Sequence, residues 1–143
     1  MADSSLVVLT VPVFSTLCNL AFRLRRDVFI VEQKVPEDEE FDPYDLSATH
    51  VVALSDGEIC GTLRVIHDEE HTKIGRVVVA IPARGRGVAS AMIAHAMGLQ
   101  QPNSRFYLTA QADKTSLYEK FGFVAFGDLF DDGGMPNIAM KTY

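Results

Sequence analysis

The residues with the clearest chemical potential lie in the run Arg76-Val-Val-Val-Ala-Ile-Pro-Ala-Arg-Gly-Arg-Gly-Val-Ala-Ser-Ala-Met-Ile-Ala-His-Ala-Met97. It reads as a buried strand, an Arg/Gly loop and a helix of small residues. In Arg84-Gly85-Arg86-Gly87-Val88-Ala89-Ser90, bare glycine backbone opens straight into a helix N-terminus. Orphan N–H groups and the positive end of the helix dipole converge there, which suits a pyrophosphate. Arg84 and Arg86 add charge and forked donors for phosphate oxygens. A Walker loop needs a lysine, and none lies nearby. A dinucleotide fingerprint needs glycine or alanine where Ser90 stands and an acidic residue about 20 positions on, where Arg105 stands. The loop therefore points to a phosphorylated cofactor of another class, with a helix-capping glycine loop that holds no ligand as the alternative.

A second segment, Ser116-Leu-Tyr-Glu-Lys-Phe-Gly-Phe123, reads as a helix end, a glycine and a strand start. Its Tyr118 carries a phenol that can donate a proton or a hydrogen bond at neutral pH. A tyrosine that only packs its ring has the same local pattern.

The spacing Arg84-x-x-Gly87-x-Ala89 resembles the Arg/Gln-x-x-Gly-x-Gly/Ala signature of the GNAT N-acetyltransferases, and Tyr118 with Gly122-Phe123 is similar to a second segment of that family. The likeness extends to Leu24-Arg-Arg-Asp-Val-Phe-Ile-Val-Glu-Gln33, then Glu40, Asp42, Asp45 and His50, and to Asp131-Asp-Gly-Gly-Met-Pro-Asn137. These resemble the ElaA-like subfamily, where the position of Asn137 is commonly histidine. The resemblance covers about Leu17 to Met140. It implies an acyl-CoA N-acyltransferase fold: a mixed α/β, mostly antiparallel central sheet flanked by helices. It implies acetyl-CoA as acyl donor, with pantetheine along Val77, Val78 and Val79 and the pyrophosphate on Arg84 to Ser90. It also implies Tyr118 beside the departing thiolate and a small-molecule or protein amine as acceptor, without a metal. Dimers occur in similar proteins, so a homodimer is compatible with it. Arg25, Val28-Phe29 and the acidic segment also resemble acyl-homoserine-lactone synthases, although this chain lacks their usual tryptophan. A transferase using another acyl-CoA or an acyl carrier donor, and a non-catalytic acyl-CoA-binding module, stay open as alternatives.

These residues need elements to hold them. Leu6 to Val11, His50 to Leu54, Glu58 to Ile66, Ile74 to Ala80, Phe106 to Ala110, Phe123 to Phe126 and Asn137 to Met140 read as strands. Ser15 caps a helix through about Val31, with Leu17, Leu20, Ala21, Leu24, Val28 and Val31 on one stripe. The loop helix runs from about Arg86 to Leu99, and Asp113 or a neighbour caps a last helix. The acidic group Glu32, Glu37, Asp38, Glu39, Glu40, Asp42 and Asp45 reads mostly as a solvated loop. Glu32, at the end of the first helix, and His50, at a strand start, are candidates for the base that takes the acceptor's proton.

Length and composition set bounds. The chain has 143 residues, enough for one domain with a full core. Thirteen Lys plus Arg against 19 Asp plus Glu give a net charge of -6, a poor balance for nucleic acid and a favourable one for a cationic partner. Val77 to Ala83 is too short an apolar run to span a bilayer, and Met-Ala-Asp-Ser-Ser lacks a secretory basic segment. Cys18 and Cys60 show no metal or redox spacing and read as reduced, buried thiols of a cytoplasmic protein. His67-Asp-Glu-Glu-His71 imitates a zinc helix, but its flanks read as strands, so it is taken as a turn.

Overall fold

The computed structural model describes residues 5–143. Its elements are β1 (Leu6–Val11), α1 (Thr16–Arg25), a π-helical segment (Arg26–Glu32), α2 (Glu37–Glu40), β2 (Thr49–Ser55), β3 (Glu58–His67), β4 (Thr72–Val79), α3 (Val88–Gly98), β5 (Phe106–Gln111), α4 (Thr115–Glu119), β6 (Val124–Asp132) and β7 (Met135–Lys141). Apart from the short α2, which lies in a segment that reads as a loop, the order of strands and helices is the one the sequence pattern predicts. Seven strands form one sheet in the order β1-β2-β3-β4-β5-β7-β6, and every pair is antiparallel except β4 with β5.

Side-chain alternation sends successive strand residues to opposite faces. Val51, Ala53, Leu63, Val65 and Ile74 pack with Val88, Met92, Ile93 and Ala96 of α3. Val52 and Val11 pack with Cys18 and Ala21 of α1 on the other face. Gly61 lets β3 approach α3: a Cβ there would stand 2.9 Å from the Met92 methyl and 3.0 Å from Val88 Cγ1. Burial pushes the Cys18 thiol above its ordinary range, as an apolar core does to a group that charges on losing its proton.

The first helix departs from expectation. Ser15 does cap it, its Oγ accepting from the Cys18 N–H at 3.2 Å. The α-helix ends at Arg25, however, and Arg26–Glu32 continues as a π-helix, closed by Gln33 N–H on Val28 O at 2.9 Å. The wider turn shifts the phase of the apolar stripe. Ala21, Leu24 and Val28 stay buried while Val31 turns out, 55% exposed. Asp113 does not cap the last helix, which starts at Thr115 without a side-chain cap.

Candidate active site

The sheet opens where β4 leaves β5. These parallel strands pair only at Thr72 with Phe106 and Lys73 with Tyr107. On the other edge of β4, Thr62 faces Val78 while Arg64 faces Gly75, so Arg76 and Val77 together oppose Leu63 in a β-bulge. Arg76 sits in left-handed backbone at φ 54°, a conformation that strains a residue with a side chain. The bulge bends β4 away, and a cleft of about 970 Å³ opens through the sheet, lined by Val77, Val78 and Val79 among others. That volume lies at the upper end of ordinary ligand pockets, roughly 300–1,000 Å³.

On the α3 face the cleft meets the Arg/Gly loop. Gly85 and Gly87 adopt φ of 79° and 80°, conformations that glycine reaches without strain. Open space lies where a Cβ would stand on either residue. Gly87 precedes α3 with no side-chain cap, so the first N–H groups of the helix, Val88 to Ser90, remain available. Gly85, Gly87, Val88, Ala89 and Ser90 all line the cleft, whereas exposed Arg86 is not among its lining residues. Tyr118 reaches the cleft from α4, 8% exposed and edge-on to Phe123. Its hydroxyl has no partner among the described residues, and burial alone pushes its pKa up to about 12.

Arg84 is exposed, but its side chain is held in place. Its Nε donates to Val79 O at 2.9 Å, and its two terminal nitrogens grip Glu32 Oε2 and Oε1 at 3.0 and 2.9 Å. The hydrogen-bonded guanidinium holds the Glu32 carboxyl below its ordinary range. His50 is not brought to the cleft. It is 2% exposed, its Nε2 lies 2.8 Å from Asp45 O, and its ring stands edge-on to Phe22. The expectation of a mostly solvated acidic loop holds for exposed Glu37, Asp38 and Glu39, although Glu37–Glu40 forms α2, and is corrected for Glu40, Asp42 and Asp45. Glu40 is 2% and Asp45 7% exposed. Arg25 donates to Glu40 Oε2 and Asp45 Oδ1, each at 2.7 Å, and Arg64 donates to Asp42 and Asp45 at 2.7 and 2.9 Å. Arg76 donates to Glu40 O at 3.1 Å and Glu39 O at 2.9 Å. The acidic segment thus supplies the counter-ions of three arginines and ties down the strained bulge.

A glycine loop before an uncapped helix N-terminus, a strand bent open beside it and a buried tyrosine opposite share one cleft. The chain matches the family described as Acetyltransferase (GNAT) domain over residues 27–143. It belongs to the GNAT acetyltransferase family. Protein ElaA of Escherichia coli strain K12 is 30% identical over 126 residues, covering 82% of each chain. A UPF0039 protein of Mycobacterium bovis is 36% identical over 127 residues, covering 82% of this chain and 79% of its own. The crystal structure of an acyl-CoA N-acyltransferase from Pseudomonas aeruginosa superposes with a TM-score of 0.86 at 31% identity, covering 97% of this chain and all of that one. GNAT-fold proteins bind acyl-CoA, and the residues of this cleft suit such a group: uncapped N–H groups, open space over two glycines and a lining of three valines.

Some features of this GNAT chain escaped the sequence reading. The arginine partners Arg64 and Arg76 carry no motif. Their signal was an arginine set between apolar neighbours within each strand. His67–His71 spans the turn between β3 and β4, where the Asp68 carboxylate accepts from the Glu70 and His71 N–H groups and His71 stacks on Tyr107. Among the described residues no helix is long and apolar enough to cross a membrane.

Proposed function

We propose that this GNAT domain transfers the acetyl group of acetyl-CoA to a primary amine by direct attack within a ternary complex. The observation that carries the reading is the single cleft through the sheet, with the uncapped N-terminus of α3 and the unpartnered Tyr118 hydroxyl on one face and a pocket between the π-helical segment and β7 on the other. The pyrophosphate takes the N–H groups of Val88 to Ser90, and pantetheine lies along Val77 to Val79. The lone pair of the amine attacks the thioester carbonyl carbon, whose oxygen is polarised by a β4 N–H. The C–S bond then breaks, and its electron pair leaves on sulfur toward the Tyr118 hydroxyl. The extra proton on nitrogen passes to water.

The base candidates acquire different standings. Glu32 lines the cleft and can draw a cation only in competition with Arg84, which holds both its oxygens; His50 supports the acidic segment beneath. Glu32→Gln is expected to lower acceptor kcat/KM by up to about tenfold, with the loss shrinking in high salt, while acetyl-CoA affinity does not weaken. Initial rates across a salt series check this, and a wild-type rate at low salt would remove Glu32 from acceptor capture.

The whole reading is tested by a CoA-release screen with diverse amines beside a no-acceptor control. Acceptor-dependent release is the expected result; its absence with every amine would favour the acyl-CoA-binding module. The cofactor placement has its own test. Gly87→Val puts a branched side chain at φ 80° and into the space over the helix N-terminus. Acetyl-CoA binding should weaken by about 10-fold or more in calorimetric titration, equivalent to at least ~1.4 kcal/mol. Unchanged affinity in the folded variant would place the cofactor elsewhere.

A further inference from the structure

The acceptor end of the cleft carries three side-chain amides that the proposed chemistry does not use. Alternation places Phe106, Leu108 and Ala110 on the α3 face, so Gln111 points to the other, and so does Asn137, its cross-strand partner. Gln33 comes from the end of the π-helical segment, and all three line the cleft. Gln111 Nε2 donates to Gln33 Oε1 at 3.0 Å and approaches Met135 Sδ at 3.5 Å. Asn137 Nδ2 donates to Met135 O at 3.0 Å.

Those contacts fix which way the amides face and leave a defined remainder. Among the described residues, Gln111 Oε1, Asn137 Oδ1 and Gln33 Nε2 have no partner. Asn137 is 6% exposed, yet its oxygen is not among the fully enclosed unpartnered atoms, so it opens on the cleft. Two acceptors and one donor therefore converge on the same space. Buried Asn137 and half-buried Gln33 and Gln111 favour a ligand that pairs with them over one that leaves them bare. Among the described residues, charges of both signs line the same cleft without an ion pair, the carboxylates of Glu39, Asp113 and Asp132 and the ammonium groups of Lys73, Lys114 and Lys120, whereas Arg64 and Arg76 are held by Glu40, Asp42 and Asp45. The single free amide donor, Gln33 Nε2, suits one neutral oxygen and leaves a carboxylate short of hydrogen-bond partners.

We infer that the acceptor is a primary amine carried next to a neutral hydrogen-bonding oxygen, an amide carbonyl or a hydroxyl, bound by Gln33, Gln111 and Asn137. The inference rests on the amine-transfer reading. Gln111 Oε1 and Asn137 Oδ1 accept from the amine N–H groups and aim its lone pair at the thioester. Gln33 Nε2 donates to the neighbouring oxygen. This is positioning and selection, and none of the three amides takes a proton.

The test compares glycinamide, ethanolamine, propylamine and glycine as acceptors at equal concentrations of unprotonated amine. Glycinamide and ethanolamine should exceed propylamine and glycine in kcat/KM by about tenfold or more. In Gln33→Leu the ratio of glycinamide to propylamine should fall toward one, with acetyl-CoA affinity by calorimetry unchanged. Propylamine or glycine matching glycinamide in the wild type would overturn the inference, whether or not the variant folds. So would an unchanged ratio in a variant that still binds acetyl-CoA. Transfer to propylamine without preference would retire the amide subsite alone; no transfer to any amine would retire the amine-transfer reading with it.

Discussion

Replacing Tyr118 with phenylalanine is expected to lower kcat by about 10²–10³-fold while acetyl-CoA affinity stays within about twofold, the scale of losing one donor aimed at charge that develops in the transition state. The substitution keeps the ring that packs on Phe123 and removes only the hydroxyl. The pKa of about 12 refines the role. An ordinary thiol has a pKa of about 8.5, so complete proton transfer from such a phenol to a thiolate runs uphill. A hydrogen bond to the leaving sulfur is the contribution the burial supports. The same pKa separates the pH effects. Tyr118 stays protonated through the usual assay range, so kcat/KM should rise with pH as the amine loses its proton, with no loss from Tyr118 below about pH 11. A stopped-flow or steady-state pH series in wild type and the phenylalanine variant measures both. Wild-type turnover in the folded variant would assign Tyr118 to packing.

Removing the guanidinium of Arg25 should be the most damaging single change to stability. Arg25 is 1% exposed, bridges Glu40 and Asp45, and lies over the rings of Phe22 and Phe41 at 5.3 and 4.9 Å. Arg25→Leu leaves buried carboxylates short of a partner, a change that costs about 3–5 kcal/mol. Denaturant midpoints at constant slope measure it, and a loss under about 1 kcal/mol would mean that the network is effectively solvated. Arg25→Leu combined with Glu40→Leu should recover part of the loss, since it removes one stranded charge as well.

The pH dependence of that network has two signs. Burial pushes Asp45 up, but the hydrogen bonds and charge of Arg25 and Arg64 outweigh it and hold its carboxyl below the ordinary range; the hydrogen bonds of Arg64 hold Asp42 down too. Their support is present above the unfolded carboxylate value and is lost as pH falls through the lowered folded values. Glu40 is pushed up by burial in spite of Arg25. It contributes in the opposite sense, with support present below its unfolded value and lost as pH rises through the raised one. In Arg25→Leu the stranded carboxylates protonate readily, so its deficit against wild type should narrow below about pH 4.

The sequence alone determined what short-range rules encode. The Arg/Gly loop was legible because left-handed glycines before a small-residue helix are a requirement of about six consecutive positions, and Gly85 and Gly87 do take that backbone. The element order followed from alternation in the strands, the Ser15 cap and the turn residues, all read within a few neighbours. The small helix before Gly122-Phe123 placed Tyr118, and its approach to the cleft follows from that element. Tertiary structure decided everything that depended on a partner far along the chain. A carboxylate in the acidic segment looks solvated until its arginine is known, and Arg64 lies 22 residues from Asp42 and Arg76 36 from Glu40. Arg84 reads locally as a phosphate ligand, and only the fold shows that its guanidinium also pairs with Glu32, 52 residues away. The break from α- to π-helix after Arg25, the burial of His50 and the meeting of Gln33 with Gln111, 78 residues apart, belong to the same class. Local periodicity records which face of an element is apolar. It carries no label for which charge or amide will meet which, because that choice is made only when the sheet register brings distant segments within hydrogen-bond reach.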